Sequence, residues 1–240
     1  MAGRIVLVAG ATGLVGREIL QGLLADDSVA VVHSLGRRDI ALTHPKLIQH
    51  RVDYSKAASA SSEQATSAGS IQASPALPSV GEAFIALGTT IKDAGSQQAF
   101  RAIDFDAVLA VAKAARLAGA MRLGVVSAMG ADPNSRVFYN RVKGEIEQAL
   151  STLGFDTLVI ARPSILAGDR AALGQPVRSG EKLAMKISRL LAPVIPDNYK
   201  SIEAAKVARA LLDAVPRVHG KQVLLSGQMR SAQTVRPAAS

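Results

Sequence analysis

Tyr139 and Lys143 are the two side chains whose types and spacing most clearly indicate proton-transfer chemistry. Residues four apart on a helix lie on the same face, one turn from each other. An ammonium group beside a phenol favours the phenolate, so such a tyrosine can serve as general acid or base. Ser127 ends a predicted strand, where its hydroxyl can bond a substrate carbonyl or hydroxyl. Taken singly, the three are also explained as a half-buried tyrosine, a helix-surface lysine and a strand-end serine.

A glycine-rich turn near the start of the chain is a candidate phosphate site. Gly10 lets the chain turn off the apolar run Ile5–Ala9, Gly13 lets the backbone approach a pyrophosphate, and Gly16 lets the next helix pack closely. Free backbone N–H groups at the helix N-terminus then bind the anion. A turn of this composition without a ligand is the alternative. The residues expected to contact a dinucleotide here are Gly10, Thr12, Gly13, Leu14, Val15 and Gly16.

The end of the second predicted strand indicates which dinucleotide is bound. An acidic residue there would bind the ribose 2′-hydroxyl of NAD, but the chain carries Arg37 and Arg38. Guanidinium groups suit a 2′-phosphate, so NADP (NADPH) is the predicted cofactor, with two solvated arginines as the alternative. Asp53 and Tyr54 end the third predicted strand, where an adenine amino group can be accepted.

Elements that position these residues follow from the hydrophobic pattern. Short β-rich apolar runs alternate with longer amphipathic stretches, which is typical of βαβ units in a parallel sheet. We predict an α/β fold, a doubly wound parallel sheet of the Rossmann type, with residues 1–240 as a single domain. The predicted strands are Ile5–Ala9, Val29–Leu35, Leu47–Val52, Ala83–Leu87, Leu123–Ser127, Thr157–Ala161 and Gln222–Leu225. The predicted helices are Gly16–Leu24, Phe100–Ala118, Phe138–Leu153, Glu181–Ala192 and Ile202–Ala214.

Two segments stand apart from this alternation. Residues 57–80 contain fourteen Ala or Ser and few bulky apolar side chains, which predicts a surface insertion or a poorly packed crossover. Residues 164–200 form a short C-terminal portion that we expect to cover the substrate. Its predicted lining residues are Leu166, Leu173, Met185 and Tyr199.

Composition excludes several classes of protein and site. With 48% hydrophobic and 20% charged residues, the chain is expected to be globular. No apolar stretch reaches the roughly 18 residues of a membrane-spanning helix, and the first residues lack a secretory signal pattern, so we predict a cytoplasmic protein. The absence of cysteine excludes disulfides and thiolate chemistry, and the four histidines lack metal-ligand spacing. Eight aromatic residues are too few to predict nucleic-acid binding despite a net charge of +9.

Positive charge is concentrated in the last third of the chain. Residues 1–159 carry fifteen Lys and Arg against fourteen Asp and Glu, whereas residues 160–240 carry thirteen against five. Lys182, Lys186 and Arg189 share one face of a predicted amphipathic helix. These cations are either solvated, or they attract an anionic substrate or an acidic partner together with Arg170 or Arg178. The sequence leaves both interpretations open.

These motifs together resemble the short-chain dehydrogenase/reductase superfamily. The resemblance is to its atypical or extended kind, among small NADP-binding proteins related to the human Tat-interacting protein. It covers most of the chain and is specific for fold and cofactor rather than for substrate. The matching residues are Val8–Gly16, Gly36–Arg38, Ala86–Thr90 followed by Ala94, Gly95 and Phe100, Ser127–Asp132, Phe138–Glu145, and Arg162 with Pro163 before Asp169 and Arg170.

The resemblance implies a role for each matching residue. Tyr139 is the expected acid/base, Lys143 holds the nicotinamide ribose and tunes Tyr139, and Ser127 orients the reacting oxygen. Pro163 is expected beside the nicotinamide. The fourth strand is expected to end against the cofactor at Leu87, Gly88, Thr89 and Thr90. An asparagine that completes the catalytic set of typical members has no clear counterpart in this sequence.

Two functions from different classes follow. The first is an NADP-dependent oxidoreductase that transfers a hydride between nicotinamide and a small-molecule carbonyl or alcohol substrate. The second is an NADP(H)-binding sensor or scaffold protein without significant turnover. A tuned phenol is chemically needed by the enzyme and not by the sensor, so the Ser127, Tyr139 and Lys143 set favours the enzyme.

Overall fold

The computed structural model describes residues 3–54, 77–167 and 196–231, and in them seven parallel strands form one sheet. The strands are β1 (Arg4–Ala9), β2 (Val29–Gly36), β3 (Leu47–Arg51), β4 (Glu82–Ile85), β5 (Arg122–Val126), β6 (Thr157–Arg162), β7 (Leu166–Ala167), β8 (Ile202–Glu203) and β9 (Gly220–Leu225). The order across the seven-stranded sheet is β3-β2-β1-β4-β5-β6-β9. A separate parallel pair is made by β7 and β8.

Helices connect and cover these strands. The α-helices in the described ranges are α1 (Leu14–Ala25), α2 (Ile91–Ala94), α3 (Gln97–Arg101), α4 (Val108–Leu117), α5 (Phe138–Ser151), α6 (Ala204–Ala214) and α7 (Ser226–Ser231). A π-helical segment, Ala102–Ala107, lies between α3 and α4, and a 3₁₀ turn spans Asp197–Tyr199.

The sheet separates two hydrophobic cores because successive strand side chains point to opposite faces. On β1, Val6 and Val8 join one core with α1 and α6, whereas Leu7 and Ala9 join the other with α4 and α5. Strands buried on both faces read as continuous apolar runs, as β1 and β6 do in the sequence.

Strand order reverses between β1 and β4, which creates a crevice at their carboxyl ends. The chain leaves β1 for β2 and β3 on one side, then returns to β4 on the other side. The amide of Ala86 donates to the carbonyl of Ala9 over 2.8 Å, so the two strand ends stay side by side. Ligands of open α/β sheets bind at such a reversal.

The structure confirms the predicted doubly wound parallel sheet, with strand ends shifted by two residues at most. Two helix predictions are wrong in detail. Phe100–Ala118 is not one α-helix, because a π-helical segment interrupts it. Ile202–Glu203 begins no helix, because its backbone pairs with Leu166–Ala167.

Several predictions fall on residues outside the described ranges. Most of the Ala/Ser-rich segment 57–80 lies there, although Val80 is buried in the core beside α4. Most of the substrate-covering segment 164–200 lies there too, and Tyr199 at its end is 62% exposed. The same holds for helix Glu181–Ala192 with its cations, for Arg170 and Arg178, and for Leu173 and Met185. Within the described ranges, no helix is both long and apolar enough to cross a membrane.

His33 and His50 form a hydrogen-bonded pair across β2 and β3. Their Nδ1 and Nε2 atoms are 2.9 Å apart, and His33 is only 5% exposed. Burial lowers the pKa of His33, and the facing His50 lowers it further. Burial also lowers the pKa of His50. The pair is therefore held neutral, with one ring donating and the other accepting.

We predict that this pair makes the fold less stable in mild acid. Because the folded pKa values lie below the unfolded value of about 6.5, the unfolded chain binds more protons and stability falls as pH drops through that value. Protonation of both rings also removes the acceptor of a bond worth about 1 kcal/mol. Urea unfolding at pH 7.5 and pH 5.5 measures the loss. It should shrink in His50→Gln and persist in the control His219→Gln, at an exposed position.

Candidate active site

The glycine-rich turn follows β1 with the geometry of a phosphate cradle. Gly10 has φ of +89°, and a Cβ there would lie 2.5 Å from the carbonyl oxygen of Ala86. A Cβ at Gly16 would lie 2.1 Å from the carbonyl oxygen of Gly10, so both positions require glycine. Gly13 differs, because its Cβ would meet its nearest atom at 3.4 Å. Local packing therefore does not require a glycine at position 13.

Helix α1 begins directly after this turn without a side-chain cap. Gly13 is the N-cap residue, and a glycine has no side chain that could accept from the first turn. The backbone N–H groups of the first turn of a helix lack intrahelical partners, and the helix dipole adds partial positive charge there. Thr12 is exposed and Leu14 half-buried, while Val15 and Gly16 are buried. The predicted phosphate-binding residues are thus gathered in one turn at the crevice.

The loop after β4 links this turn to the predicted catalytic helix. Ala86 closes over Gly10, and Leu87 packs into the core beside α4 and α5. Gly88 is exposed, and a Cβ there would lie 3.4 Å from Oδ1 of Asp104 and 3.8 Å from Nζ of Lys143. The same loop therefore contacts the glycine-rich turn at Ala86 and approaches Lys143 at Gly88.

Asp104 and Lys143 form a buried ion pair at the centre of this site. Oδ1 of Asp104 lies 2.7 Å from Nζ of Lys143, and the two side chains are 0% and 6% exposed. The other carboxylate oxygen accepts a 2.8 Å hydrogen bond from the backbone amide of Thr89. Asp104 thus ties α5 to the loop after β4.

The electrostatic balance keeps Lys143 protonated. Burial is the largest single effect and disfavours the ammonium, but Asp104, Tyr139 and Glu147 together outweigh it, so the pKa of Lys143 is raised. The lysine cation therefore persists in a site that excludes most water.

A second buried charge lies one turn further along α5. Glu147 is 4% exposed and accepts a 2.5 Å hydrogen bond from the hydroxyl of Ser127. Arg162 at the end of β6 donates to both of its oxygens, from Nε over 3.0 Å and from Nη2 over 2.6 Å. Ser127 therefore faces the helix that carries Tyr139 and Lys143.

The ring of Tyr139 packs against a fully buried phenylalanine. Its centroid lies 5.4 Å from that of Phe100, with the rings tilted by 43°. The loop before α5 crosses the helix at Gly144, where a Cβ would lie 2.1 Å from the backbone nitrogen of Pro133. This close approach explains the glycine that follows Lys143 in the motif.

The residues predicted to contact the adenosine fall into an exposed group and a buried tyrosine. Arg37 and Arg38 are exposed after β2, and Asp53 is exposed after β3. Tyr54 is buried, and its hydroxyl donates to the carbonyl oxygen of Leu35 over 3.1 Å. Burial raises the pKa of this phenol, although the charge of Arg37 opposes the shift. Tyr54 is thus committed to packing, while the arginines and Asp53 face solvent.

Pro163 lies beyond β6 as the resemblance implies. It is buried, and its carbonyl oxygen accepts from the amide of Met129 over 2.9 Å. This bond joins the segment after β6 to the segment after Ser127, so both stand at the same edge of the sheet.

Two residues of the site were missed by the sequence interpretation, although the sequence carries a signal for each. Asp104 occupies the apolar stripe of its helix, between Phe100 and Val108, where a carboxylate needs a buried partner. Glu147 extends the row of Tyr139 and Lys143 by one more turn. A charged residue in the buried row of a helix was the clue in both cases.

Comparison with known proteins finds relatives of this chain and solved structures with the same fold. No family model matches the chain. Protein HTATIP2 of Rattus norvegicus is 31% identical over 219 residues, which is 89% of this chain and 81% of that protein. Protein fmp52, mitochondrial, of Emericella nidulans is 36% identical over 166 residues, 69% of this chain and 68% of that protein.

The chain belongs to the same protein family as HTATIP2 and fmp52. Solved structures show the same fold at low sequence identity. A short chain dehydrogenase family protein from Francisella tularensis has a TM-score of 0.63 at 14% identity, over 95% of this chain and 100% of that chain. The Bordetella bronchiseptica enzyme WbmH in complex with NAD+ has a TM-score of 0.63 at 19% identity, over 94% and 77%.

The prediction of a cytoplasmic protein is wrong. Relatives from Emericella nidulans, Coccidioides immitis, Eremothecium gossypii, Aspergillus niger and Candida albicans are all named as mitochondrial proteins. The prediction rested on the lack of a membrane-spanning stretch and of a secretory signal pattern, and neither absence argues against a mitochondrial protein.

We predict that Asp104→Leu strongly destabilises the fold. The substitution leaves the buried ammonium of Lys143 without its partner, which costs about 3 to 5 kcal/mol. The double variant Asp104→Leu/Lys143→Met should recover most of that loss, because no unpaired charge remains. Urea unfolding of the single and double variants measures the coupling.

The exposed pair of Arg101 and Glu145 supplies the control, since its side chains are 41% and 31% exposed. Glu145→Ala should cost at most about 1 kcal/mol. Equal effects of Asp104→Leu and Glu145→Ala would show that burial does not strengthen the pair.

Proposed function

We propose that this protein is an NADP-dependent oxidoreductase that acts on a small-molecule carbonyl or alcohol. The observation that carries the proposal is the ammonium of Lys143, buried beside Asp104 and 3.8 Å from where a Cβ of Gly88 would stand. The loop that carries Ala86 and Gly88 connects this cation to the glycine-rich turn, where the uncapped helix α1 begins. A dinucleotide fits this arrangement, because its phosphates would meet the cradle while its other end reaches Lys143.

The cradle itself fits the cofactor. Gly10 and Gly16 are required by close backbone contacts, but Gly13 has no such need, which leaves the approach of a pyrophosphate as its reason. The nicotinamide ring, when bound, supplies or accepts the hydride. WbmH has the same fold and was solved in complex with NAD+, which supports a nicotinamide dinucleotide as the cofactor proposed here.

Each residue of the proposed site has a physical role. Tyr139 exchanges a proton between its phenol oxygen and the substrate oxygen. Lys143 supplies a fixed positive charge behind the phenol, and Asp104 holds that charge in place. Ser127 orients the substrate oxygen at the carboxyl end of β5.

Exposed arginines support NADP over NAD. Arg37 and Arg38 follow β2, where the adenosine ribose of a dinucleotide lies. Asp53 comes from the neighbouring strand end and is proposed to contact the adenine, with Tyr54 packed beneath. Leu87, Gly88, Thr89 and Pro163 are proposed to contact the middle of the cofactor.

We predict that Tyr139→Phe abolishes most turnover and spares cofactor binding. Removal of the hydroxyl takes away the proton donor, so kcat should fall by roughly 10²-fold or more. NADPH affinity should change little, because the ring still packs on Phe100. NADPH oxidation against a panel of aldehydes, ketones and quinones, and NADP+ reduction against the matching alcohols, measures the rate.

Full activity in Tyr139→Phe would show that Tyr139 is not the proton donor. NADPH binding without turnover of any panel compound would instead favour a sensor or scaffold.

We also predict that Arg37 and Arg38 select the phosphorylated cofactor. A charge-assisted hydrogen bond to phosphate contributes roughly 1.5 to 3 kcal/mol, so replacing both by Ala should weaken NADPH by about ten- to a hundred-fold or more. NADH affinity should stay within about two-fold. Calorimetric titration with each cofactor checks this, and equal losses for NADPH and NADH would contradict it.

A further inference from the structure

Arg162 stands beside Ser127 at the carboxyl edge of the sheet. The amide of Ser127 donates to the carbonyl oxygen of Ala161 over 2.8 Å, so the ends of β5 and β6 lie side by side. Side chains alternate along a strand, and Val125 and Ile160 both lie in the core beside α4 and α5. Ser127 and Arg162 come two residues further along each strand and therefore leave the sheet on that same face.

Glu147 on α5 holds both of these side chains. Its Oε1 accepts from the hydroxyl of Ser127 over 2.5 Å and from Nε of Arg162 over 3.0 Å. Its Oε2 accepts from Nη2 of Arg162 over 2.6 Å. Because Ser127 and Arg162 share one carboxylate oxygen, the guanidinium lies next to the serine that is proposed to orient the reacting oxygen.

The contact with Glu147 uses only one edge of the guanidinium. The group carries five N–H donors in one plane, and Nε and Nη2 each give one of them to Glu147. The edge formed by Nη1 and Nη2, which we call the free edge, keeps one parallel donor from each nitrogen. No described residue accepts from Nη1, and the protein does not enclose this atom, so it reaches solvent. The side chain of Arg162 is 26% exposed, whereas that of Glu147 is 5% exposed.

We propose that the free edge of Arg162 binds a carboxylate of the substrate, so that the protein acts on carbonyl or alcohol compounds that also carry a carboxylate. The proposal rests on the function proposed above and names its substrate class. Two parallel N–H groups match the two oxygens of a carboxylate, and a lysine cannot offer this geometry. Glu147 fixes the plane of the guanidinium before the substrate arrives, so little side-chain freedom is lost on binding.

The charges of the site favour recognition by hydrogen bonds over long-range attraction. Lys143 is paired with Asp104 and Arg162 with Glu147, so these four groups together carry no net charge. A carboxylate is therefore selected by its fit to the free edge. A primary amide of the same shape turns an NH₂ donor toward one of the N–H groups and loses a hydrogen bond. We expect the carboxylate to bind at least about five-fold more tightly than the amide.

Benzoate and benzamide test this preference, because the two rings differ only in carrying a carboxylate or a primary amide. Ligand-observed NMR measures the affinity of each, with and without NADP+. In protein carrying ¹⁵N-labelled arginine, the Nε–H signal of Arg162 reports where the probe binds. The wild type should bind benzoate at least about five-fold more tightly than benzamide, and benzoate should shift the Arg162 signal.

Two variants remove the free edge without leaving Glu147 unpaired. Arg162→Lys keeps a cation beside Glu147 but lacks the parallel donors, and its missing signal assigns Arg162. Arg162→Met/Glu147→Met removes both charges and serves if the first variant is unstable. The preference for benzoate should disappear in each. Arg122→Lys is the matched control, because Arg122 is also a strand arginine beside a buried carboxylate, that of Glu82, and this variant should keep the preference.

Equal affinity of the wild type for the two rings would overturn the proposal. So would a benzoate preference that persists in both Arg162 variants, an equal loss in Arg122→Lys, or an Arg162 signal that benzoate does not shift. NADPH titration of the same samples tests the proposed function separately. Binding of NADPH without a benzoate preference defeats the carboxylate site alone, whereas a benzoate preference at Arg162 without NADPH binding defeats the oxidoreductase alone.

Discussion

The ion pair between Asp104 and Lys143 is the interaction on which the rest of the site depends. Two buried charges are tolerated only when each has a partner and further hydrogen bonds. Lys143 has Asp104 at 2.7 Å, and Asp104 also accepts from the amide of Thr89. The pair thereby fixes three parts of the chain relative to one another: the loop after β4, the π-helical segment and α5. Because the loop after β4 also covers Gly10, the same contact sets the distance from cradle to lysine.

Tyr139, Lys143 and Glu147 form one row along α5, each one turn from the next. Each charged member of the row is neutralised from a different direction, Lys143 by Asp104 and Glu147 by Arg162. The π-helical segment, an element frequent at functional sites, holds Asp104 where the ammonium lies. Tyr139 is partly exposed whereas Lys143 and Glu147 are buried, so the row runs from the surface into the protein.

Sequence patterns predicted the fold and the position of the glycine-rich turn because both depend on local rules. Apolar strands buried on two faces and glycines at fixed offsets can be recognised without knowledge of distant contacts. Asp104 was missed because its partner is 39 residues away and its helix is interrupted by a π-helical segment that periodicity does not reveal. Ile202 was assigned to a helix because its pairing with Ile165 and Leu166 is also non-local. Ser127 was expected to bond only the substrate, because no residue near it in sequence indicates the hydrogen bond to Glu147.

The central claim, that the glycine turn and Lys143 belong to one dinucleotide site, is tested most directly at Gly13. A Cβ there would meet only the carbonyl oxygens of Gly10 and Ala86, at 3.4 and 3.9 Å, so Gly13→Ala should fold with nearly unchanged thermal stability. The added methyl group would obstruct the approach of a pyrophosphate, and calorimetric titration should show NADPH affinity lowered by about ten-fold or more. Gly81→Ala, where a Cβ would have no atom within 4 Å, should bind NADPH like the wild type. Wild-type NADPH affinity in Gly13→Ala would contradict the account.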